Sequence, residues 1–162
     1  MSFRHPFPKT ETTETNNKYG ACQTWVHPGY LLVSPKPVTE SWHRFDSKLE
    51  AETYIALRQV VPDSGILRQH KVLIKPTSAN YKSLHWRCDF YIPRMGLYIE
   101  SKGEILREFK LQLQMLDFHN PQVYQDLMIV TSSGKPVDRN KGSITVSQLR
   151  RLFKEHWRHL FI

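Results

Sequence analysis

The chain has 162 residues, the size of one domain with a full hydrophobic core, and 23 lysines and arginines against 15 acids leave it at a net charge of +8. That excess suits a polyanionic partner, with nucleic acid the commonest, or else simply a well-solvated basic surface. No apolar run approaches a membrane span, the opening residues 1–8 carry no apolar signal region, and Cys22 and Cys88 lie far apart without metal-ligand spacing. These features argue against membrane-spanning, secreted disulfide-scaffold and cysteine-zinc classes, and place the expected protein in a reducing, cytoplasmic compartment.

Composition divides the chain into an N-terminal arm over residues 1–40 and a compact domain over 41–162. The polar, threonine-rich run 10–17 predicts a flexible segment. Residues 25–33 hold a short strand bounded by prolines, which either packs on the domain or reaches across to a partner subunit. Ser47-Lys-Leu-Glu50 is a capping box opening a helix to about Val60, stopped by Pro62. A strand over 67–75 and then a hairpin follow, with arms at 87–92 and 97–102 and a turn at Pro93-Arg-Met-Gly96. A second helix over 104–119 buries Ile105, Phe109, Leu113 and Leu116, spaced for one face. The apolar run 126–131 predicts a buried strand. A charged loop over 134–142 carries Lys135, Asp138, Arg139 and Lys141, and a final helix over 147–160 carries Arg150, Arg151, Lys154 and Arg158. The order of helix, three strands, helix, strand, helix predicts an α/β fold, a mixed central sheet flanked by helices.

The hairpin holds the chemistry. With its turn centred between Arg94 and Met95, Phe90 falls opposite Ile99 and Ile92 opposite Leu97, so the apolar pairs share one face. On the other face Asp89 meets Glu100, and Arg87 falls opposite Lys102. Directly opposed carboxylates, about 5 Å apart at Cβ, repel unless a cation lies between them or one keeps its proton. Lys102 shares their face two residues on from Glu100. Two acids and an amine so arranged form a candidate hard-metal site beside a lysine. Gln69 and His70 on the preceding strand lie near enough in register to approach it. Glu50 can serve as a helix cap, as a further acid, or both. Arg87, Arg107 and Lys110 are candidates for gripping a DNA backbone, as are Lys135, Arg139 and Lys141 in the loop and Arg150 and Arg151 on the last helix; ordinary solvated surface is the alternative for each.

Asp89 followed by Glu100-Ser101-Lys102 resembles the signature of the PD-(D/E)XK nuclease superfamily, with Cys88 where that pattern usually has proline. Within it the chain is most similar to the phage endonuclease I group of four-way junction resolvases, through Phe45–Glu50, Cys88-Asp-Phe90, Ile99-Glu-Ser-Lys-Gly103 and Val130-Thr-Ser-Ser133 with Lys141-Gly-Ser after it. Transposon-end and homing nucleases share these blocks. The resemblance implies a restriction-endonuclease-like core and a Mg²⁺-dependent DNA endonuclease, with Mn²⁺ a substitute. It implies that Asp89, Glu100 and the Ser101 backbone carbonyl ligate the metal, that Glu50 tunes it or holds a second one, and that Lys102 assists the attacking water. Symmetric cutting of a junction further implies a homodimer. Sequence-specific cleavage on the same core, and a non-catalytic DNA-binding domain, are the competing expectations.

Overall fold

The computed structural model describes residues 22–162; the threonine-rich run 10–17 lies outside them. Strands β1 (Thr24–Val26), β2 (Val33–Ser34) and β3 (His43–Phe45) form a small antiparallel sheet in the order β2-β1-β3. Val26 and Phe45 bury their side chains with Ala51, Tyr54 and Leu57 of the first helix, α1 (Lys48–Arg58). The Arg58 guanidinium donates to the Pro28 carbonyl at 2.8 Å. Residues 25–33 therefore pack on their own chain, and β1 pairs with β3 across the composition boundary at residue 40.

Ser47 caps α1 as its spacing predicts, its hydroxyl accepting from the Glu50 N–H at 3.1 Å. Next come β4 (Leu67–Lys75), β5 (Leu84–Ile92) and β6 (Leu97–Ser101), a continuous antiparallel meander. Helix α2 (Arg107–His119) and the short α3 (Pro121–Gln125) then cross over to β7 (Leu127–Val130), which pairs parallel to β6. The four-stranded mixed sheet has the order β4-β5-β6-β7. A last helix, α4 (Val146–Leu152), packs near α1 and runs on through a π turn over Phe153–Trp157. The architecture is thus mixed α/β, as the element order predicts.

The differences from expectation are local. Helix α2 starts at Arg107, three residues later than the apolar spacing predicts, with Leu106 at its N-cap position and no side-chain cap. The final helix starts before Ser147 because Thr145 and Gln148 form a reciprocal capping box. Among the described residues no helix is long and apolar enough to cross a membrane.

The hairpin register is the predicted one: Phe90 pairs with Ile99, Tyr91 with Tyr98 and Ile92 with Leu97. Gly96, in the left-handed region at φ 63°, closes the turn. The strands do not keep one face throughout, however. Ile66, Phe90, Ile92 and Ile99 pack in the cluster under α1 and α4, whereas Val72, Ile74 and Cys88 join the cluster under α2. Residues two apart on a regular strand share a face. Cys88 and Phe90 do not, nor do Val72 on β4 and Ile66 just before that strand, at even spacing. The switch falls at Gln69 and Asp89, and Gln69 is one of two non-glycine residues with positive φ among the described residues, at 51°. At this same level the β5–β6 ladder ends, while β5 continues paired to β4. The sheet forks there.

Because Val26 is fully buried and Val33 is 57% exposed, Val26→Ala is expected to lower stability by about 2 kcal/mol. Val33→Ala should stay within about 0.5 kcal/mol of wild type. Urea unfolding of the two variants measures the difference, and equal effects would show that β1 is not part of the core.

Candidate active site

At the fork, the backbone donors that would otherwise ladder across β5 and β6 turn to side chains. The Asp89 N–H donates to Glu100 Oε2 at 3.1 Å, and the Ser101 N–H donates to Asp89 Oδ2 at 2.8 Å. Two carboxylates have inserted themselves between the strands, each capping the other strand's orphaned amide. Glu100 is almost completely buried. Its second oxygen, Oε1, receives Lys102 Nζ at 2.6 Å, and that ammonium also lies 5.0 Å from the centre of the Phe109 ring on α2.

Glu50 enters from the first turn of α1. Its Oε2 accepts from the Asp46 N–H at 3.0 Å, one residue before the N-cap, and its Oε1 accepts from the Gln69 amide at 3.2 Å. Capping and membership of the site therefore coexist in one side chain. The same Gln69 Nε2 lies 3.4 Å from Asp89 Oδ1, so one carboxamide bridges two acids. The left-handed backbone of Gln69 aims it there. His70 instead stacks on Tyr91, with the Tyr98 ring tilted to it 6.1 Å away. Ser101 turns its hydroxyl to Thr53 on α1 at 3.1 Å, tying the end of β6 to the helix that carries Glu50. Glu50, Asp89, Glu100 and Lys102 all line one cleft of about 740 Å³.

Three carboxylates and one ammonium gathered here are a locally acidic centre in a basic protein. Burial is the main cause that raises the Glu50 and Glu100 carboxyls above their ordinary range. Asp89 is pushed up to about 8, first by burial and then by the charges of Glu100 and Glu50. Lys102 resists burial and is raised, held charged by Glu100 and Asp89. The Cys88 thiol is raised by burial and by the same two acids, so it is an inert packing group.

Among the described residues, no group of three or more His, Cys, Asp or Glu stands ready to hold a metal ion. Every oxygen of Glu50, Asp89 and Glu100 faces an N–H donor or the lysine. The donor set nevertheless fits a hard divalent cation, being all oxygen, mutually repelling and incompletely neutralised. Its loosest contacts are the two to the Gln69 amide.

The basic candidates are not gathered around the cleft. Arg87 lines it, but pairs with Lys71 on β4 rather than with Lys102, because the β5–β6 ladder stops at Phe90. Arg107 is exposed on the first turn of α2, just past Leu106 of the cleft wall. Lys110 and Arg139 face a shallow hollow between α2 and the loop 134–142, and Lys135 is exposed on that loop. The Lys141 ammonium is spent within the fold, donating to the Tyr124 carbonyl and lying 4.4 Å from the centre of that ring. Arg150 and Arg151 are exposed on α4, the helix packed near α1.

Thr53 was not singled out by the sequence, although a threonine one helical turn after Glu50 necessarily shares its face. Asp46 also enters, through its backbone N–H to Glu50 and through a charge that raises the Glu50 carboxyl. No protein-family model, curated protein or solved structure matches the chain.

An acid whose folded pKa is raised destabilises the fold where it ionises: the penalty is absent below its unfolded value near 4, grows with pH, and is complete above about 8. Asp89→Asn removes that charge while keeping an acceptor for Ser101. In metal-free buffer at pH 8 it is expected to be more stable than wild type by about 2 kcal/mol, with the gap closing towards pH 4. Urea titrations at the two pH values measure this; a variant weaker than wild type at pH 8 contradicts it.

Proposed function

We propose that this chain is a metal-dependent DNA endonuclease with a restriction-endonuclease-like core of the PD-(D/E)XK type, acting on branched DNA. The observation that carries the reading is the gathering of Glu50, Asp89, Glu100 and Lys102 in one cleft at the fork of the sheet. The net charge of +8 supports a polyanionic substrate around that acidic centre. The preference for four-way junctions, and the homodimer that paired cuts require, rest on the sequence blocks shared with the phage resolvases.

Asp89 and Glu100 are the residues to hold Mg²⁺, or Mn²⁺ in its place, with the Ser101 carbonyl and Glu50 completing the oxygen set. A bound ion supplies a water of lowered pKa and offsets charge on the phosphoryl oxygens. The chain's own groups do the rest. Lys102, pinned by Glu100 and the Phe109 ring, orients the water and places a fixed positive charge where the transition state gains negative charge. Glu50, fixed by the Asp46 amide, stands on the α1 side of the same cleft and keeps Asp89 company through Gln69. Burial of Glu100 keeps bulk water from competing for the lysine.

A cleavage panel with Mg²⁺ tests the reading: four-way junction, flap, single strand, linear duplex and supercoiled plasmid. Wild type is expected to nick the junction and spare linear duplex, and Lys102→Ala to lower the single-turnover rate by about 100-fold or more. Equal cutting of junction and duplex removes the branched-DNA part, one reproducible position on random-sequence plasmid favours sequence recognition, and no cleavage of any member removes the nuclease.

A further inference from the structure

Past the fork the sheet narrows to a two-stranded ribbon. β5 has left β6, but β4 and β5 remain paired through Lys71 with Arg87 and Leu73 with His85. Lys71 and Arg87 are therefore directly opposed, their Cβ atoms about 5 Å apart and their side chains on one face. Both are exposed. Among the described residues neither makes an ion pair. Like charges placed opposite one another weaken a sheet, so the pair calls for a reason.

Lysine on an edge strand deters unwanted strand pairing, and β4 is an edge strand. That accounts for Lys71 alone, and not for a second cation set directly across from it. The place of the pair is more telling. Arg87 lines the same cleft as Asp89, Glu100 and Lys102, and lies two residues along β5 from Asp89, about 7 Å. Successive phosphates on one DNA strand have a similar separation. The cleft is acidic at Asp89 and cationic at Arg87, an alternation that fits a chain of phosphates with one of them over the acids and the next over the cations.

We propose that Lys71 and Arg87 form a clamp for a backbone phosphate of the substrate, next to the phosphate held at Asp89. The clamp rests on the endonuclease reading and extends it: substrate runs along the ribbon of β4 and β5, and Lys71 is a binding residue. The like-charge pair is the cost in folding of a site completed by an anion. Contacts of this kind fix where the substrate lies and carry no base preference.

Lys71→Glu tests it, because the substitution sets opposite charges face to face and so should not unfold the ribbon. Binding of a fluorescent four-way junction is measured by anisotropy in EDTA between 50 and 200 mM salt, alongside the thermal midpoint. The expected result is a midpoint equal to or above wild type, an affinity about tenfold weaker, and a salt dependence shallower by about one to two phosphate contacts. Lys71→Ala should show a smaller change in the same direction. Unchanged affinity and slope in both variants, with wild type binding normally, overturn the clamp and leave the endonuclease standing. Failure of wild type to bind or cut any DNA overturns both.

Discussion

The replacement of backbone carbonyl acceptors by carboxylates between β5 and β6 is what the rest of this structure depends on. An antiparallel ladder that stops inside a sheet leaves amide donors stranded, and a stranded buried donor is strongly disfavoured. Here Asp89 and Glu100 take those donors reciprocally, so the strands part without an orphaned group. The same two side chains are thereby drawn out of solvent and towards one another. The geometry that makes the fork possible is also the geometry that concentrates negative charge.

That charge concentration is built and held from both sides of the sheet, a third acid joining it and a ring backing its one cation. From α1 come Glu50 and, through Thr53, the tie to Ser101; from α2 comes the Phe109 ring beneath the Lys102 ammonium. Each helix has its own apolar cluster. The strands serve both because they change face at Gln69 and Asp89. A flat, regular hairpin would carry Asp89 and Glu100 on one face and could pack against one helix at that level. The strained backbone of Gln69 is the local expense of placing an acidic centre between two layers.

Much of this was legible in the residues. The hairpin register followed from matching apolar pairs, because slipping it by one would have buried charges, and Ser47 announced its helix by a pattern with a direct hydrogen-bonding cause. The convergence of Asp89, Glu100 and Lys102 followed from that register. The face switch does not, because the polar and apolar residues of 87–92 alternate without a break through Cys88. Nothing in Arg87-Cys-Asp-Phe90 marks the place where a strand changes partners. Gln69 was within reach by register, but its bridging role depends on a positive φ that the identity of glutamine does not advertise. Lys141 looked like surface charge in a polar loop and is instead a structural donor to a backbone carbonyl.

If the fork exists to hold a divalent cation, ligand binding must stabilise the folded chain at the expense of the unfolded one. The most direct test is thermal unfolding at pH 8 with 10 mM MgCl₂ against a sodium chloride control of equal ionic strength, for wild type and Glu100→Gln. With a dissociation constant of the order of 1 mM, Mg²⁺ should raise the wild-type midpoint by about 3–6 °C and leave the variant unmoved. A wild-type midpoint that does not respond to Mg²⁺ or Mn²⁺, or a variant that responds equally, contradicts the claim that these acids form a metal centre.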